Sequence, residues 1–188
     1  GNVVIAAVSA SIVSQFFLGT SPAFSVPAYA MYSPWEILLY IILGLLAALI
    51  GVFFIRLLDF FETLFDKMKM PQMVKPAIGA LMLGILAFFY PHVSSMMTVF
   101  PGDSRLGLPL LDNVPHVYGS GFDFIATVLQ GEVSFGLFLM LIFFNPLSTS
   151  FTLGSGNSGG VFAPSLFTGA MLGGAFGYAI KYMFPALP

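Results

Sequence analysis

Residues 154 to 164 read Gly154-Ser-Gly-Asn-Ser-Gly-Gly-Val-Phe-Ala-Pro164, a polar, glycine-rich run inside the longest uncharged stretch of the chain. No charged residue occurs from Val133 to Ile180, the span between Glu132 and Lys181. Uncharged sequence of that length belongs in lipid, where every unpaired backbone N–H or C=O carries a large penalty. Non-helical chain at membrane depth must therefore be buried in protein or line a water-filled path. This run is the foremost candidate for a functional site.

Composition supports a membrane setting. The 188 residues are 58% hydrophobic and only 7% charged, with a mean hydropathy of +0.97, whereas soluble domains carry about 25% charged residues. A net charge of −2 gives no reason to expect a nucleic-acid partner. With no cysteine there is neither a disulfide framework nor a thiolate metal site. No positively charged leader precedes the apolar start at Gly1-Asn2-Val3, and no polar tail follows Phe184-Pro185. Both ends read as cuts through a larger membrane protein.

Apolar segments are expected at about 2–18, 37–55, 76–91, 133–150 and 161–184, forming a single membrane unit with no soluble domain. The fold class is all-α: a multi-pass helical membrane protein with broken or re-entrant helices. Ile37 to Ile55 is uncharged for 19 residues, about the length that crosses the hydrocarbon core. Trp35 and Tyr40 near its start are interfacial aromatics. Beyond it, Asp59, Glu62, Asp66 and Lys67 make an amphipathic end in which Arg56 pairs with Asp59, or Asp66 with Lys69. Prolines between Gly19 and Pro34, and at 101, 109 and 115, mark loops. Gly121 to Gln130 has the pattern of a short interfacial helix, and Asn145-Pro146 is a second interruption of the long uncharged stretch. The loop from Arg56 to Lys75 holds four of the six basic residues, which places it in the cytoplasm.

From Val161 the sequence turns helical. Pro164 suits a first helical turn, Asn157 and Ser158 are capping types, and Gly159-Gly160 allow close backbone approach. A helix starting near Gly160 leaves its first N–H groups unpaired, and aligned peptide dipoles add about half a positive charge there. Such an end binds an anion without lysine or arginine, and neutral donors let it leave again. Glycines 169, 173 and 177 form a small-residue packing stripe on that helix.

Other readings compete with this one. Gly156-Asn-Ser-Gly-Gly160 formally matches a hydrolase nucleophile elbow, which needs a preceding strand and a histidine partner. His92 and His116 read instead as solvated loop residues, as do Asp103, Asp112 and Asp123, so neither a catalytic nor a metal site is expected. Thr152-Leu-Gly-Ser-Gly156 faintly resembles a potassium filter, but a helix N-terminus favours an anion over a cation. Ser148, Thr149 and Ser150 suit either helix packing or a vestibule, with packing preferred. The run could also be a plain connection between helices.

Leu153-Gly-Ser-Gly-Asn-Ser-Gly-Gly-Val-Phe-Ala-Pro-Ser-Leu-Phe-Thr-Gly-Ala170 closely resembles the G-x-F-x-P segment of the CLC family of chloride channels and proton-coupled chloride transporters. Val117-Tyr-Gly-Ser-Gly-Phe-Asp123 and Asn145-Pro-Leu-Ser-Thr-Ser150 are similar to that family in the same order. The resemblance implies an integral multi-pass protein of a plasma or bacterial inner membrane that carries chloride. It also implies a homodimer in the lipid bilayer, with no cofactor and no enzymatic activity. The backbone N–H groups of Val161 and Phe162 would donate to the anion, with Gly159, Gly160 and Pro164 shaping the turn, and Asn2–Leu18 would lie near the dimer interface. The family's G-S-G-I-P and G-[KR]-E-G-P motifs and its later tyrosine are absent, and Asn145 replaces a common basic residue. The alternatives are a structural membrane fragment and a secondary transporter for another solute.

Overall fold

The computed structural model describes residues 1–19, 34, 36–97, 116–119, 121–129 and 133–183. The loop residues 20–33, Trp35, Arg105, Asp103, Asp112 and the prolines at 101, 109 and 115 lie outside them. All regular structure among the described residues is α-helical: α1 (Asn2–Leu18), α2 (Glu36–Lys67), α3 (Val74–Met97), α4 (Phe122–Leu129), α5 (Phe135–Gly154) and α6 (Phe162–Met183). Two of them, α2 and α5, are long and apolar enough to cross a membrane. They serve different purposes. α2 keeps its apolar faces open, whereas two thirds of the apolar window of α5 is buried inside the chain.

α5 is the centre of the fold, packing against α2, α3 and α6, while α4 closes on α6. It starts at Ser134, whose Oγ accepts from the Leu137 N–H at 3.4 Å, a weak form of the usual N-cap. Its apolar side chains join those of α4 and α6 in one core containing Leu137, Leu141, Phe124 and Met171. Edge-to-face rings tie it to α2, at 4.9 Å between Phe61 and Phe151 and 5.6 Å between Phe53 and Phe143. Such pairs contribute roughly 0.5–1.5 kcal/mol each beyond their buried area.

Pro146 does not interrupt this helix, contrary to the sequence expectation. It lies inside α5 and is fully buried. The helix loses one N–H there, and hydroxyls on the next turn bond back to the backbone beside it: Thr149 Oγ1 donates to Asn145 O at 2.9 Å, and Ser150 Oγ to Pro146 O at 2.7 Å. Back-bonding of this kind accommodates a bend, and packing on three sides holds the helix together. Pro91 is likewise inside α3, so His92 continues that helix and does not open a loop.

The α4 helix buries Phe124, Ile125 and Val128 in the core. Asp66 pairs with Lys75 at 3.8 Å, not with Lys69, because the turn after α2 brings the start of α3 back beside it. The glycine that packs α6 is Gly174, where a Cβ would meet the Phe138 ring at 2.5 Å, while added Cβ atoms at 169, 173 and 177 meet nothing within 4 Å. That stripe falls on a different face of α6 from Phe167, Met171 and Ala175, which are buried.

Candidate functional site

The glycine run divides into a helix end and a helix start. α5 closes with the Gly156 N–H on Leu153 O at 2.9 Å and the Asn157 N–H on Thr152 O at 3.2 Å. With Gly156 at φ 90, this is the paired-bond cap that terminates a helix through a left-handed residue. Asn157 and Ser158, expected to cap the next helix, do not do so. The Asn157 amide donates back to Ser155 Oγ at 3.2 Å and toward Pro76 O at 3.5 Å, tying the run to the start of α3.

α6 therefore begins without a polar cap. Its first helical hydrogen bond runs from the Ser165 N–H to Val161 O at 3.0 Å, so the helix starts at Phe162, and valine occupies the capping position. Valine has no side-chain acceptor, and Pro164 has no N–H. Among the described residues, the N–H groups of Val161, Phe162 and Ala163 have no backbone carbonyl to donate to. The Val161 and Phe162 side chains are 48% and 76% exposed, so core packing does not cover the turn.

Beside it lies a cavity of about 280 Å³ whose wall includes Gly159, Gly160, Pro164, Asn145, Ser148 and Thr149. Among the described residues, no lysine, arginine, aspartate or glutamate lines it. The consecutive hydroxyl residues 148–150 of α5 thus divide. Ser150 is fully buried packing, while Ser148 and Thr149 face the cavity. Gly159, Gly160 and Pro164 share one wall, whereas Val161 and Phe162 do not line the cavity.

Two wall residues were misjudged or missed from sequence. His116 is not solvated: it is 4% exposed, its ring lies tilted against Phe124 at 4.1 Å between centroids, and Nδ1 is hydrogen-bonded to the Tyr90 hydroxyl at 2.6 Å. Burial pulls its pKa from the ordinary value down to about 4, so the ring is neutral at pH 7. Its Nε2 is buried without a hydrogen-bond partner among the described residues. Tyr118 donates its hydroxyl to Leu83 O at 2.8 Å, anchoring the 116–119 turn to α3. Only contacts distant in sequence reveal either role.

A cavity beside an uncapped helix start, in a chain that is apolar and all-helical among the described residues, fits an integral membrane protein. The whole of residues 1–188 matches the family model for voltage gated chloride channels. The chain is 34% identical to the chloride channel protein CLC-e of Arabidopsis thaliana, over 93% of this chain and 22% of that protein. It is 35% identical to CLC-f of the same plant, over 93% and 20%, and 31% identical to the H(+)/Cl(−) exchange transporter ClcA of Vibrio vulnificus, over 99% and 36%. No solved structure matches significantly. The chain belongs to the voltage gated chloride channel family, and it spans about a fifth to two fifths of the length of these relatives.

Proposed function

We propose that the protein carrying this chain passes chloride across a membrane, and that the turn from Gly159 to Pro164 contributes one wall of the anion path. The N–H groups of Val161 and Phe162 bind the ion, and Gly160 and Pro164 shape the turn. The observation that carries this reading is the uncapped start of α6, with three consecutive N–H groups lacking a backbone acceptor. Uncompensated donors at the positive end of a helix attract an anion. Among the described residues no charged side chain lines the neighbouring cavity, which keeps that attraction shallow enough for release. His116, which lines that cavity, has a buried ring nitrogen without a hydrogen-bond partner among the described residues, and such a group calls for a polar ligand or water.

The chain is an integral, multi-pass part of its membrane, and the intact protein works as a homodimer without a cofactor. The relatives are named both as channels and as an H(+)/Cl(−) exchanger, so the coupling of this protein is a separate question. Reversal potentials of the intact protein across a proton gradient answer it: a value that ignores pH excludes exchange. Chloride efflux from liposomes tests the main reading. Efflux should exceed that from empty liposomes and should be suppressed by Phe162→Asp, which places a negative charge at the site. Efflux no faster than the lipid leak would refute it.

A further inference from the structure

We propose that Asn145 is a positioning residue for the anion-binding turn. By holding the Pro164 carbonyl and the Thr168 hydroxyl together, its carboxamide sets the direction in which the Val161 and Phe162 N–H groups point. This rests on reading that turn as the anion site. Asn145 is 5% exposed, and both hydrogens of its amide are used: Nδ2 donates to Pro164 O at 2.9 Å and to Thr168 Oγ1 at 2.9 Å. Thr168 Oγ1 in turn donates to Pro164 O at 2.8 Å, closing a three-membered clasp. The clasp is anchored on its other side as well. The Asn145 carbonyl accepts from Thr149, and the residue precedes a buried proline of fixed φ.

The location of the clasp gives it a consequence beyond joining two helices. α6 has no side-chain cap, and its first backbone bond is that of Ser165 to Val161. The Pro164 carbonyl is therefore the nearest point to the free donors that is held from outside the helix. A carboxamide suits this task because it supplies two neutral donors to two acceptors. Leucine at 145 would fill the space and donate nothing. Aspartate would present an acceptor to the Pro164 carbonyl and bring a negative charge into the cavity wall. The cavity that Asn145 and Pro164 line also holds His116, whose buried Nε2 has no hydrogen-bond partner among the described residues, an independent pointer to a polar ligand there.

Calorimetric titration of the intact protein in detergent with chloride and with thiocyanate tests the assignment. Wild type, Asn145→Leu, Thr168→Val and Phe162→Pro are compared, with melting temperatures measured alongside. Asn145→Leu should weaken chloride binding about tenfold, and Thr168→Val, which leaves the Asn145–Pro164 bond, about threefold, as expected for one or two buried hydrogen bonds. Both should shift the chloride-to-thiocyanate affinity ratio, because misdirected donors treat a spherical and a linear anion differently. If Asn145→Leu does not fold, Thr168→Val alone decides by the same ratio. Wild-type affinities and ratio in the folded variants, whatever their melting temperatures, overturn the positioning role while leaving the anion site in place. A wild-type protein that binds no halide, or binds it equally well as Phe162→Pro, removes the site and the clasp's purpose with it.

Discussion

Alanine and proline at position 162 remove different things. Phe162→Ala deletes a ring that is 76% exposed and keeps the N–H, so it should retain chloride transport within about threefold, as surface truncations away from packing usually do. Phe162→Pro removes the ring as well and, in addition, deletes the donor. A hydrogen bond to a charged partner is worth about 1.5–3 kcal/mol, so affinity should fall by roughly ten- to a hundredfold. Liposome efflux reads the first and halide titration the second, and equal damage from both would argue against a backbone donor. His116 makes a separate prediction. Its folded pKa of about 4 lies below the ordinary histidine value of 6.5, so the unfolded chain takes up the proton first as pH falls. Stability from this residue is complete above pH 6.5, declines between about 6.5 and 4, and levels off below that, with a slope of at most about 1.4 kcal/mol per pH unit. Thermal unfolding of His116→Leu should lose that part of the acid sensitivity. An unchanged pH slope would mean that the ring is not kept neutral by the fold.

At the scale of helices, two glycines in similar sequence settings have opposite surroundings. A Cβ at Gly79 would lie 2.6 Å from the Phe151 carbonyl, where α3 meets α5, and backbone cannot swing aside. Gly79→Ala should cost about 1–3 kcal/mol as overpacking. Gly173→Ala meets open space and should be neutral or stabilising by up to about 1 kcal/mol through helix propensity. Melting curves of the two variants in one detergent check the order. The contrast also shows what sequence can and cannot reveal. Hydropathy placed the helices, since long uncharged runs have one solution in lipid. It placed the turn at 154–164 as well, because glycine and proline punctuate regardless of tertiary context. It failed at Pro146 and Pro91, where the outcome depends on which neighbour packs against the helix. His116 was missed for the same reason: nothing near it in sequence predicts Tyr90 and Phe124 as its surroundings.

The molecule as a whole leaves much of its apolar surface uncovered. Residues 2–17 of α1 are exposed throughout, and α2 carries open leucine, isoleucine and phenylalanine side chains along its apolar half. Lipid and the rest of a protein whose relatives are several times longer can both cover such surface. Residues 1–188 alone should therefore pass no chloride when reconstituted, while the intact protein does. Flux through the isolated chain would mean that its path is already complete. The central claim is more specific, and anomalous diffraction from bromide-soaked crystals of the intact protein tests it most directly. The account predicts a bromide peak within hydrogen-bond reach of the Val161 and Phe162 N–H groups. Bromide bound elsewhere in the protein, with those two N–H groups donating to carbonyl oxygens or turned toward lipid, would contradict it.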